Sequence, residues 1–404
     1  MPVVVLAAAC GGGGEEVQPT PTPSPTIAQP SPTPSPTPTP GVQRLAYIGT
    51  DLDVWIMNED GSNQQKLFDI ATDPGDSVHN LQWSPDGTKF AVTRSPKDVV
   101  YIVSAAGEKL LELPAVSFLA WSPSSDTYAV ARGPALEVES AVLVLDPRGD
   151  TAVELANIQI VDQAYFSPDG RRLTFYEFVG GGGLCGDYRG LLADLQTGEV
   201  RPIDPAEPPI PCGKGPPIFS PTNPSLLAYG DGLFDLDAGR VQPLPGRAVR
   251  WSPDGRYLVL AGEPDQSDAG VPGQVYSLET AASVLEFEVN VSFASDQPFE
   301  SLVGGRTTFS SDSRLLASSD LFPDKPAVLH IRDIATGGDK TLSIPAGRFG
   351  FQFSPDGRHL LISAATELFP DKPSDEHSIW LVNSDGSNLI RLAEGSEPAW
   401  QPQP

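Results

Sequence analysis

The chain has 404 residues and sets 52 Asp and Glu against 26 Lys and Arg, a net charge of −26, with 39 Gly and 43 Pro. That balance repels polyanions, which argues against nucleic acid and against docking on anionic lipid by charge. No apolar run reaches the ~18 residues that a membrane-spanning helix needs, and the length suits either several domains or one large all-β ring.

Residues 1–10 read MPVVVLAAAC. An apolar run, then small residues, then Cys10 resembles the end of a bacterial lipoprotein signal. That resemblance implies cleavage before Cys10 and lipidation of its thiol. The run is short and lacks the basic residue that opens a secretory signal. Residues 11–42 follow as an expected disordered stalk. Four glycines make a swivel, and from Gln18 to Gly41 Pro alternates with Thr and Ser. Such a stretch extends as polyproline II at about 3.1 Å per residue, enough to hold a domain roughly 70 Å from its anchor.

Residues 43–404 carry one recurring pattern: an aromatic residue, Ser-Pro, a polar turn, then a β-rich run. It occurs as Ser-Pro-Asp-Gly after Trp83, Phe166, Trp251 and Phe353. Variants follow Trp121 (Ser-Pro-Ser-Ser), Phe219 (Ser-Pro-Thr-Asn) and Phe309 (Ser-Ser-Asp-Ser), and a truncated copy ends at Trp400. Pro suits the first corner of a type I turn and Asp-Gly the next. The runs after these turns (Phe-Ala-Val from Phe90, Leu-Val-Leu from Leu258, Leu-Ile-Ser from Leu361) read as strands. So do the second runs, Val-Trp-Ile-Met from Val54 and Ile-Trp-Leu-Val from Ile379. The mean spacing of about 45 residues is that of one four-stranded propeller blade.

The pattern resembles the TolB-like branch of the WD-type repeats. The resemblance implies an all-β propeller of four-stranded blades, eight in number, or seven if the short segment from Phe219 to Val249 is irregular. The chain enters on a second-strand pattern at Arg44 and leaves on a first-strand pattern at Trp400. The N- and C-terminal strands are therefore expected to share one blade and close the ring.

Cys185 and Cys212 sit in Gly-rich loops. In an exported chain such a pair reads as a disulfide, with free thiols or a metal pair as the alternatives. No histidine lies near either in sequence, so no zinc site is expected. Catalytic patterns are sparse. No G-x-S-x-G is present, so the peptidase arrangement in which a propeller precedes a hydrolase domain does not apply. The four histidines, His79, His330, His359 and His377, show no metal-ligand spacing. The Asn-x-Asp-Gly-Ser-Asn runs at 58–63 and 383–388 fit a hairpin better than a calcium loop. No cofactor or metal is expected.

One feature remains. Leu-Phe-Pro-Asp-Lys-Pro occurs twice, at 321–326 and 368–373, each time between the second and third strands of successive blades. Both copies would lie side by side on one face, together with the loops at 180–190 and 262–273. Leu321, Phe322, Lys325, Leu368, Phe369 and Lys372 are the candidate contacts. The expected function is a non-catalytic binding or scaffold propeller. It would be monomeric, exported and held to a membrane only through a lipid, and would engage a protein or glycan outside the cytoplasm. The alternative is an extracytoplasmic polysaccharide lyase or hydrolase with its site in the central channel.

Overall fold

The computed structural model describes residues 42–403 apart from 71, 133–140, 157–159, 181–186, 205–209, 212–216, 263–270, 290–306, 321–325, 347 and 366–376. The described residues form eight antiparallel sheets. In ring order, blade one holds β1 (Arg44–Ile48), β2 (Val54–Asn58), β3 (Gln65–Phe68) and, as its innermost strand, β33 (Ser396–Trp400). Blade two is β4 (Ser77–Trp83), β5 (Lys89–Ser95), β6 (Val99–Ser104) and β7 (Lys109–Leu113). Blade three is β8 (Val116–Trp121), β9 (Tyr128–Arg132), β10 (Ala141–Leu145) and β11 (Thr151–Ala156). Blade four is β12 (Ile160–Phe166), β13 (Arg172–Gly180), β14 (Asp187–Asp194) and β15 (Val200–Pro202), with β16 (Ile210–Pro211) paired to β14. Blade five is β17 (Ile218–Phe219), β18 (Leu226–Tyr229), β19 (Gly232–Asp235) and β20 (Arg240–Pro243). Blade six is β21 (Arg247–Trp251), β22 (Tyr257–Ala261), β23 (Val271–Ser277) and β24 (Ala282–Val289). Blade seven is β25 (Thr307–Phe309), β26 (Leu315–Asp320), β27 (Ala327–Asp333) and β28 (Asp339–Ile344). Blade eight is β29 (Arg348–Phe353), β30 (His359–Ala365), β31 (His377–Asn383) and β32 (Ile390–Glu394). The eight-blade count holds, and the short segment from Phe219 is a complete, if small, blade.

Eight apolar clusters lie one at each seam between consecutive blades. Ala46, Ile48, Val54 and Ile56 of blade one meet Trp83, Phe90 and Val92 of blade two. The series continues round the ring to Leu361, Ile379 and Leu381 of blade eight against Leu45, Met57 and Trp400 of blade one. There is no single central core: each sheet is apolar on both faces because a neighbour covers each, and burying that surface is what drives the ring together. The repeat tryptophans add direction. The indole Nε1 of Trp83, Trp121 and Trp251 donates to the carbonyls of Ala399, Gln82 and Ile218, each on the innermost strand of the preceding blade. The indole of Trp400, at the closing seam, is buried without a partner.

The Ser-Pro-Asp-Gly turn explains its own sequence. In the turns opened by Ser84, Ser167, Ser252, Ser310 and Ser354 the hydroxyl donates to the Asp two residues on at 2.6 Å. The same oxygen accepts the main-chain N–H that starts the next strand, as Arg172 and Tyr257 show at 2.9 Å. The runs at 58–63 and 383–388 are matching hairpins, each with Asn Nδ2 on Ser Oγ at 2.9 Å and Ser Oγ on Asp at 2.6 Å. No helix in the described residues is long and apolar enough to cross a membrane.

Candidate functional site

The two ends of the ring differ. At one end emerge the connections between first and second strands, five or six residues long, and between third and fourth strands, four to six. At the other end emerge those between second and third strands and those between blades. They range from the single Gly395 and the pair 230–231 to 366–376 and 290–306. The first end is built of the repeated turns just described. The second carries the variation.

Both copies of the hexapeptide fall in sequence between strands whose described ends lie at this second end. Asp320 closes β26 and Ala327 opens β27, while Ala365 closes β30 and His377 opens β31. Leu321, Phe322, Lys325, Leu368, Phe369 and Lys372 lie outside the described residues, as do Cys10, Cys185 and Cys212.

The described strands that flank the two connections differ from one another. In blade seven, Asp320, His330, Arg332 and Ser318 share one sheet face. His330 lies between two carboxylates, with Nε2 3.2 Å from Asp320 and Nδ1 3.0 Å from Asp339. Arg332 donates to Ser318 at 2.5 Å and pairs with Asp339 at 3.1 Å. Its guanidinium also sits 5.4 Å from the centre of the Phe287 ring in blade six. The hydrogen bond to Asp320 raises the pKa of His330 above its ordinary value, against burial and the nearby Arg332. Three strands, β26, β27 and β28, are thereby cross-braced where β26 ends. In blade eight the matching position is Trp380, whose indole donates to Ser378 at 2.8 Å.

Ion pairs brace the same end elsewhere. Arg94, at the close of β5, donates to Asp76 at 2.6 Å and to Asp73 at 3.0 Å, and Lys97 also meets Asp73. The Asp73 main-chain N–H, with Arg94 behind it, holds Asp76 below the usual carboxylate value. In blade one Lys66 joins Asp53 and, at 3.0 Å, Asp51. Sequence reading missed these braces. The alternation of charge across neighbouring strands was their signal, but it has meaning only once register is known.

The inner strands are stitched near the axis. Asn80 Nδ2 donates to the Phe118 carbonyl at 2.8 Å, Glu397 Oε2 accepts the Leu81 N–H at 3.1 Å, and Gln352 Nε2 donates to the Pro398 carbonyl at 2.5 Å. Asn80 and Glu397 hold φ of 61° and 48°, an arrangement that costs of order 1–3 kcal/mol each and is sustained by these bonds. The four histidines stay apart, on β4, β27, β30 and β31. Among the described residues no three His, Cys, Asp or Glu side chains converge as metal ligands.

No protein-family model matches the chain, and no curated protein does. Solved structures do. A eukaryotic initiation factor aligns at 14% identity over 91% of this chain and 100% of its own, with a TM-score of 0.55. An oligogalacturonate lyase in complex with manganese aligns at 14% over 80% and 93%, with 0.51. TolB from Acinetobacter baumannii aligns at 16% over 89% and 67%, with 0.42. These likenesses are of fold: the chain is a β-propeller.

Proposed function

We propose that this chain is a non-catalytic binding propeller that offers the variable end of its ring to a protein or glycan partner outside the cytoplasm. The observation that carries the reading is the contrast between the two ends. One end repeats a single hydrogen-bonded turn, while the other changes connection length from blade to blade over a braced frame. Recognition is commonly placed on such loops, because a rigid scaffold fixes their position while their sequence is free. The duplicated Leu-Phe-Pro-Asp-Lys-Pro connections supply an aromatic and a cation twice on adjacent blades, which suits a two-point contact. The small residues before Cys10 and the Pro-Thr stalk support display from a lipid anchor.

The test is capture from envelope extract by the full chain and by Phe322→Ala/Phe369→Ala. Loss of one captured partner by at least tenfold, with thermal unfolding unchanged, supports the reading. Equal capture by both proteins removes these residues from the contact.

A further inference from the structure

In several blades the hairpin between third and fourth strands rests on the blade before it. A Cβ on Gly61, Gly107, Gly149 or Gly386 would meet a leucine of the preceding outermost strand: Leu392, Leu67, Leu113 and Leu342 respectively. A Cβ on Gly239, in the hairpin of blade five, would meet nothing within 4 Å. The outermost strand before it is β15, only three residues long. Arg201 on β15 lies opposite Leu192 of β14, and Leu192 packs toward blade five with Phe219, Leu227 and Phe234. By strand alternation Glu199 shares the face of Arg201, and Asp194 shares that of Leu192. Arg172 is the cross-strand partner of Asp194. Blade four thus presents a guanidinium to its neighbour where other blades present a leucine.

The seam holds a cavity of about 130 Å³ there, at the end built of repeated turns, lined by Arg172, Asp194, Glu199 and Arg201 with Leu192 and Leu236. Two of the four charges are already engaged. Arg172 donates to the Pro224 carbonyl at 3.1 Å and to Asp237 at 2.9 Å. One oxygen of Asp194 accepts the main-chain N–H groups of Thr197 and Gln196 at 3.0 and 2.9 Å, which hold this carboxyl below its ordinary pKa. The other two are not engaged. Glu199 and Arg201 are exposed, and their Cα atoms lie about 6.6 Å apart on one strand face. Among the described residues neither side chain forms an ion pair or a hydrogen bond, not even with the other. One available cation and one available anion therefore face the same small space.

We propose that this cavity binds a small free amino acid as its zwitterion. The planar fork of Arg201 takes the carboxylate. Glu199, with the second oxygen of Asp194, accepts from the ammonium group. Leu192 and Leu236 give a short apolar side chain its surface. The volume is that of about four water molecules, which suits glycine, alanine or serine and leaves no room for an aromatic side chain. A simple anion would also face Asp194 and Glu199, and a simple cation would also face Arg172 and Arg201. Only a ligand carrying both charges answers both halves of the lining. The cavity lies at the opposite end of the ring from the variable connections, so this binding is independent of the partner contact proposed above.

The experiment is equilibrium dialysis of the full chain against radiolabelled alanine, with unlabelled glycine, phenylalanine, propionate and ethylamine as competitors. Three variants accompany the wild type: Arg201→Gln, Glu199→Gln and, as a control, Glu108→Gln, which removes an exposed charge from blade two. The expected result is saturable binding of alanine, at least tenfold weaker to each of the first two variants, as for a lost charged hydrogen bond, and within twofold to the third. Glycine should compete, while propionate and ethylamine, with one charge each, and the bulky phenylalanine should do so at least tenfold less well. Thermal melts confirm that the variants are folded. No saturable uptake by the wild type, displacement by propionate or ethylamine as effective as by glycine, or wild-type affinity in either Arg201→Gln or Glu199→Gln would each overturn it. None of those outcomes touches capture through Phe322 and Phe369, so the two readings fail separately.

Discussion

Ser84, Ser122, Ser167, Ser220, Ser252, Ser310 and Ser354 are at most 2% exposed, and a buried hydroxyl is tolerated only when it is bonded. Where Asp follows two residues on, the bond is 2.6 Å. Where Ser124 or Thr222 replaces it, the oxygens stand 3.3 and 3.4 Å apart. The hydroxyl in turn holds the carboxylate: Ser310 keeps Asp312 below its ordinary pKa. Two turns place Ser rather than Gly at a left-handed corner, Ser125 and Ser313, with φ of 61° and 59°. Each Oγ accepts an N–H from the preceding blade, Asp86 at 3.1 Å and Asp254 at 3.2 Å, so the strained corner also joins two blades. His330 makes a residue-scale prediction. Its folded pKa is raised. Its contribution to stability is therefore complete below the unfolded value of about 6.5 and is lost as pH rises through the higher folded value. Denaturant midpoints measured from pH 6 to pH 9 should fall for the wild type relative to His330→Gln. At pH 6 the variant should be weaker by about 1–3 kcal/mol, as for a charged hydrogen bond. A constant gap across that range would contradict the brace.

At the scale of the element, a turn can also be a contact between blades. Gly87 and Gly170 occupy the same corner with φ of +66° and +69°, yet a Cβ on Gly87 would lie 2.1 Å from the Pro402 carbonyl oxygen, whereas one on Gly170 meets nothing within 4 Å. Gly170→Ala should cost about 1 kcal/mol, from φ alone. Gly87→Ala should cost roughly 2 kcal/mol or more, because main chain must also move. Parallel melts of the two variants decide it, and equal losses would place the closing contact elsewhere. This contrast shows what the sequence could and could not convey. The aromatic-Ser-Pro-turn repeat, the strands that follow it and the final strand at Trp400 were legible because each is a local pattern with a local cause. The brace at His330 and the inner-strand bulges at Asn80 and Glu397 were not. Each depends on which residues face one another across strands or seams, a relation set by register and by the relative size of neighbouring blades.

At the scale of the molecule, stability lies in eight seams in series, and a ring with one open seam has two bare sheet faces. Both seams of blade one depend on β33. Trp400 fills the cluster against blade eight, while on the other side Glu397 and Ala399 accept hydrogen bonds from blade two and Gln401 donates to the Gly87 carbonyl at 2.9 Å. Removing residues 396–404 should abolish the cooperative calorimetric transition and expose dye-binding apolar surface, and the synthetic 396–404 peptide should restore part of the transition. A truncated chain melting within a few degrees of the full one would show that the seam holds without its inner strand. Blade eight reaches the same strand through Gln352, so the loss would be felt on both sides of the gap.

Blade one also has a history in time. Ile48 of β1 lies opposite Ser396 of β33, so the first strands of the ring receive their inner partner from a strand made about 350 residues later. At the roughly 5–20 residues per second of protein synthesis, that partner arrives tens of seconds after β1 has left the ribosome. Throughout that interval β1 presents an open row of main-chain donors and acceptors to whatever is nearby. The ring thus closes only when its last strand emerges. A ribosome that stalls anywhere before Trp400 leaves that edge open rather than a smaller propeller.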